Sequence, residues 1–133
     1  MRATMPTLPQ LLHASPLRPR WRVLLVLLLA VVSVAALKPG SGAASLGIGD
    51  KVDHLLAFVS LAVAAALSWP ATRRHGALAG IGLLAYGALI EIVQTQVPGR
   101  QGDVVDLAFD ALGIGLGLAV VLGLRSRWRA PQP

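Results

Sequence analysis

The chain contains no cysteine, which excludes disulfides, thiolate metal sites and a thiol nucleophile. Acids are scarce: six Asp and Glu stand against twelve Lys and Arg, and charged residues of both signs make up only 14% of the 133 positions. Aromatic residues are scarce as well, at 5%. The net charge of +6 and the pI near 11.4 would suit a nucleic-acid binder, but the basic residues stand at the ends of apolar runs, so no nucleic-acid partner is expected. No Gly-x-Ser-x-Gly elbow and no phosphatase-like series of Arg and His occurs. What is plentiful is apolar: hydrophobic residues reach 55% and mean hydropathy is +0.68, far above an ordinary soluble domain of this length.

Four apolar runs carry that excess, Trp21 to Leu37, Leu55 to Trp69, Ala77 to Val93 and Val104 to Leu124. Each approaches the roughly 17 to 25 residues of a bilayer-spanning helix, the second when Val52 to His54 continue it. Breakers fall between them: Lys38-Pro39-Gly40-Ser41-Gly42, Pro70 and Pro98-Gly99. The expected fold is an all-α integral membrane bundle of four transmembrane helices over residues 21–124. Residues 1–20, with Pro6, Pro9, Pro16 and Pro19, read as a disordered tail, and residues 125–133 as a basic one.

Charge sets the expected orientation. Arg18, Arg20 and Arg22 precede the first run, Arg73 and Arg74 join the second to the third, and Arg125, Arg127 and Arg129 follow the fourth. The positive-inside rule makes these segments, and both termini, cytoplasmic. All six acids, Asp50, Asp53, Glu91, Asp103, Asp106 and Asp110, then belong to the outer ends or outer loops. A rival reading takes Arg18 to Arg22, Val23 to Val32 and the small Ser33 and Ala35 as a cleavable leader. That apolar run is on the long side for a leader, and cleavage would leave three spans in the same orientation.

At about 100° per helical residue, polar and small residues share faces. Asp106, Asp110, Gly113 and Gly117 line the fourth run; Gly80, Gly87, Glu91 and Gln94 the third; Asp50, His54, Ala57, Leu61, Ala64 and Ser68 the second. Small residues let helix backbones approach closely in lipid, so Gly80, Gly87, Gly113 and Gly117 are expected at helix contacts. Meeting of these faces would make an outward pocket edged by His54, Glu91, Gln94, Asp106 and Asp110, with Lys51 and Arg100 at its mouth. Asp110 lies about 10 Å deeper than Asp103. An acid near mid-helix costs about 2.5 to 3.5 kcal/mol to insert, so Asp110 should be partnered, hydrated or protonated, with Lys51, His54 or Arg100 in reach.

The series DKVDH (Asp50 to His54), EIVQ (Glu91 to Gln94) and PGRQGDVVDLAFDALGIGLG (Pro98 to Gly117) resembles the VanZ-like family of small bacterial membrane proteins. The resemblance covers about half the chain, while the first run carries no motif. It implies that Asp50, Lys51, His54, Glu91, Gln94, Arg100, Asp106, Gly113 and Gly117 take the family's polar and glycine positions; Asp110 departs, since asparagine is expected there. The family takes its name from a protein associated with resistance to teicoplanin, a lipid-tailed glycopeptide. The implied place is the bacterial cytoplasmic membrane, as a multi-pass protein.

Three functions follow as expectations. The favoured one is non-enzymatic: Asp50, Lys51, His54, Glu91, Gln94, Arg100, Asp106 and Asp110 as ligand-binding residues, with membrane lipids, an envelope lipid or a lipid-tailed glycopeptide as partner. Arg100 and Lys51 would attract the anionic group. A second is a hydrolase or transferase on a lipid head group, with His54 moving a proton and Glu91 or Asp106 orienting it. A third is a component of a proton-coupled transporter, for which so short a chain would need to oligomerise. A structural reading stands beside them, in which Lys51, His54 and Arg100 fasten helix ends by pairing with Glu91, Asp103 and Asp106. No cofactor is expected. One His without Cys is a weak zinc signature, so no metal is assigned, although His54, Glu91, Asp106 and Asp110 form an oxygen-rich set.

Overall fold

The computed structural model describes residues 7–13, 15–39 and 49–128. Its elements are a short helix α1 (Leu8–His13), a 3₁₀ turn (Ser15–Leu17) and four long helices: α2 (Arg18–Leu37), α3 (Asp50–Ser68), α4 (Arg73–Gln94) and α5 (Val104–Arg127). No strand occurs among the described residues. The long helices contain 20, 19, 22 and 24 residues, or roughly 29 to 36 Å at 1.5 Å per residue, the thickness of a bilayer core. Their hydropathy and length suit four membrane spans.

Local chemistry sets the ends. Pro19 sits in the first turn of α2, where its missing N–H costs nothing. The Thr72 side chain caps α4 by accepting from the His75 backbone N–H, and the Asp103 carboxylate caps α5 by accepting from that of Val105 at 2.8 Å. After α4 the chain turns through Pro98-Gly99, where Gly99 takes φ 77°, a left-handed conformation that suits glycine.

Helix α3 is the centre of the bundle and packs most extensively on α5. Gly113 and Gly117 make that contact: a methyl group at Gly113 would lie 2.6 Å from the Leu55 carbonyl oxygen, and one at Gly117 would lie 2.7 Å from that of Val59. The expected glycine face of α5 is therefore where two backbones touch. Phe58, Leu61, Ala62, Ala64, Ala65, Leu83 and Ile114 form the main core, against which Leu28, Leu29 and Val32 of α2 pack. Helix α2 lies at the periphery, with Val23, Val26, Leu27, Val31 and Val34 exposed, as a lipid-facing helix would be. It is tied to α4 by Tyr86, whose hydroxyl donates to the Leu29 carbonyl at 3.0 Å and shares a hydrogen bond with Ser33 at 2.8 Å.

Two boundaries differ from expectation. The tail expected to be disordered contains α1, whose Leu12 is buried with Leu67 and Val121, and Arg125 donates to the Leu12 carbonyl at 2.9 Å. The apolar contact and the buried hydrogen bond supply what the proline count concealed. The helices also run past the apolar runs, α2 starting at Arg18 and α5 ending at Arg127, because long basic side chains reach out from the end of a span without ending it.

Candidate functional site

The helices gather charge of opposite sign at opposite ends. Arg22 of α2 meets the end of α3, donating to the Ser68 carbonyl at 3.3 Å and lying 5.4 Å from the Trp69 ring. At the other end Gln94 of α4 donates to the Ala36 carbonyl at 3.0 Å, and Lys51 of α3 meets Asp103 and Asp106 at the start of α5, both at 3.2 Å. All six acids belong to this second end.

The centre of the acid-rich end is His54. Its Nδ1 is 2.8 Å from Asp110 Oδ1 and 3.9 Å from Glu91 Oε1, and its Nε2 is 3.9 Å from Asp106 Oδ2. Asp110 thus has the partner its depth demands, and that partner is His54 rather than Lys51 or Arg100. Glu91 is fixed from its other side: the Asp103 backbone N–H donates to Glu91 Oε2 at 2.7 Å. Gly102 permits this fold-back, since a methyl group there would lie 2.7 Å from the Glu91 carbonyl oxygen. Gly87 plays a similar part, because a methyl group would lie 2.7 Å from Asp110 Oδ2. Asp103 lies outside the spans, and the Val105 N–H, then the Lys51 ammonium, hold its carboxyl below the usual aspartate range.

Arg100 corrects the fastening scheme. It reaches no carboxylate within ion-pair distance among the described residues; instead Nη2 donates to the Ala35 carbonyl at 3.2 Å and Nε to that of Lys38 at 3.4 Å. The end of α2 presents carbonyls without helical partners, and a cation is well placed there.

A cavity of about 300 Å³ opens between α2 and α3, over Ile90 of α4. Leu28, Val31, Val32, Leu56, Ala57 and Phe58 give it an apolar body, and Asp50, Asp53, His54, Gln94 and Arg100 give it a polar mouth. Val31 is 64% and Leu56 41% exposed, so the cavity opens sideways, toward where lipid would lie. Of the expected ligand-binding set, Asp50, His54, Gln94 and Arg100 line it. Lys51, Glu91, Asp106 and Asp110 do not; they form the ionic network on the far side of His54. Gly80 is also less committed than expected, in ordinary contact with Leu118 at 3.6 Å. The α2 wall, Ser60 in the cavity lining and Gly102 belong to the site without having been expected there. The doublet of glycines in Pro98 to Asp103 was a signal for Gly102; the α2 wall gave none beyond the small Ala35 and Ala36.

Two sets of side chains lie close enough to share a cation, Asp50 with His54 and Asp106, and His54 with Glu91 and Asp110.

Fold and site together define a multi-pass, all-α membrane protein with an ionic cluster at one end. The VanZ/LLP1 family model matches residues 11–125, and the chain belongs to that family. The match includes the first span, beyond the reach of the motifs. No curated protein and no solved structure matches the chain.

Proposed function

We propose that this chain binds a lipid-tailed molecule at the outer face of a bacterial cytoplasmic membrane, without chemistry on it. The observation that carries the reading is the cavity: apolar along its body, polar at its mouth and open to the side. Its volume is at the lower end of the roughly 300 to 1,000 Å³ of ligand pockets, enough for part of an acyl tail. The positive-inside rule turns the end bearing Arg18, Arg20, Arg22, Arg73, Arg74, Arg125 and Arg127 to the cytoplasm, and both termini with it. The cavity mouth then faces outward.

Arg100 is the cation for an anionic head group. A guanidinium has five N–H donors, of which two groups are engaged with Ala35 and Lys38. Lys51, expected to share this task, is held by Asp103 and Asp106. An envelope lipid or a teicoplanin-type glycopeptide has the required tail and charge. The test is teicoplanin susceptibility of a host expressing the intact chain, Arg100→Ala or Ala57→Phe at equal membrane levels. Reduced susceptibility with the intact chain alone supports the reading; equal susceptibility of all strains and the empty vector contradicts it.

One observation favours a second reading. His54 lies in the cavity wall while a buried carboxylate holds its Nδ1 at 2.8 Å, the arrangement of an oriented general base. The orienting residue is Asp110; Glu91 and Asp106, expected in that role, stand at 3.9 Å. Release of a head group from a lipid-phosphate pool that stops in His54→Gln would establish this reading; binding without turnover would exclude it.

A further inference from the structure

Behind the cavity wall, negative charge exceeds the cations that face it. Glu91, Asp106 and Asp110 are 8%, 4% and 0% exposed. Lys51 reaches only Asp106 among them, and Arg100 is turned to the α2 carbonyls. Beside Glu91 and Asp110, His54 is the one side chain able to carry positive charge among the described ion pairs. Two buried oxygens, Glu91 Oε1 and Asp110 Oδ2, have no hydrogen-bond partner among the described residues. A buried carboxylate oxygen without a partner is costly, and buried charges are normally paired or bound to a metal.

We infer that His54 Nδ1, Glu91 Oε1 and the Asp110 carboxylate bind a divalent cation of the zinc or manganese type. Their ligand atoms all lie within 4.8 Å of one another. Ligands about 2.0 to 2.2 Å from a zinc ion stand roughly 3 to 3.5 Å apart. The observed 2.8 Å from His54 Nδ1 to Asp110 and 3.9 Å to Glu91 bracket that spacing, so small side-chain rotations close the site.

The surroundings fit a metal ligand set. The Asp103 N–H holds the second oxygen of Glu91, and Asp106 stands 3.9 Å from the other ring nitrogen of His54, beyond direct hydrogen-bond distance but near enough to attract it electrostatically. Such outer partners orient ligating imidazoles and carboxylates. One imidazole with two carboxylates and no thiolate suits zinc or manganese and disfavours the soft thiolate-seeking ions. Three protein ligands leave a coordination position for water or a ligand oxygen.

The untagged full chain, stripped of metal in detergent micelles, is titrated calorimetrically with zinc chloride and, separately, manganese chloride. The expected result is one saturable site per chain for at least one of the two. Glu91→Gln and Asp110→Asn should each weaken it at least tenfold, and Leu116→Ala on the exposed face of α5 should leave it unchanged. If Asp110→Asn does not accumulate in folded form, Glu91→Gln, checked by circular dichroism, carries the comparison. No saturable binding of either ion, or equal binding by Glu91→Gln, overturns the inference. It does not rest on the lipid reading: a chain that binds the cation but leaves susceptibility unchanged keeps one and loses the other.

Discussion

His54 Nδ1 and Asp110 Oδ1 stand 2.8 Å apart across the contact between α3 and α5, joining the two most extensively packed helices. This pair explains how an acid two turns into a span is held.

Removing one partner leaves a buried charge without compensation, which typically costs about 3 to 5 kcal/mol. His54→Ala should therefore destabilise the bundle by about 3 kcal/mol in denaturant unfolding from micelles. Replacing both residues, as His54→Leu with Asp110→Leu, should recover part of that loss, since an apolar pair substitutes for the buried ionic one while Glu91 still loses its cation. A double variant less stable than His54→Ala would show that the pair is not the determinant.

The glycines of α5 separate into two kinds, and a pair of substitutions distinguishes them. In Gly113→Ala the added methyl meets the Leu55 carbonyl at 2.6 Å, whereas at Gly115 nothing lies within 4 Å. Overpacking of a helix contact costs about 1 to 3 kcal/mol, while alanine in place of an exposed helical glycine gains up to about 1 kcal/mol. Unfolding curves should therefore shift in opposite directions for Gly113→Ala and Gly115→Ala. Equal shifts would contradict the close α3/α5 approach.

Asp103 supplies a pH dependence. Its carboxyl is held below the ordinary value of about 3.9 by the Val105 N–H and Lys51. A group whose value is lowered on folding contributes stability above its unfolded value, and that contribution disappears as pH falls through the folded value. Unfolding measured from pH 7 down to pH 3 should show stability falling below about pH 4. Asp103→Asn should flatten part of that acid slope; an unchanged slope would contradict the assignment.

The sequence made some of this legible for physical reasons. Span lengths follow from the apolar runs. The stripe Asp106, Asp110, Gly113, Gly117 follows from helical period, and all four residues prove buried. The depth of Asp110 announced a partner, since an isolated acid there would be costly. Arg100 departs from the carboxylate pairing of the structural reading because its partners are backbone carbonyls at the end of α2, which no side-chain pattern advertises. The cavity was displaced from its expected place for a related reason. Its α2 wall is apolar, and an apolar residue facing a cavity looks the same in sequence as one facing lipid.

On the proposed reading, the space between α2 and α3 holds a lipid tail. Native mass spectrometry of the purified full chain, released from micelles after incubation with a lipid-tailed glycopeptide, tests it most directly. The expected result is a one-to-one adduct that Ala57→Phe, which fills the cavity, abolishes, and that Leu116→Phe on the exposed face of α5 preserves. An adduct retained in Ala57→Phe, or none with the intact chain, would contradict it.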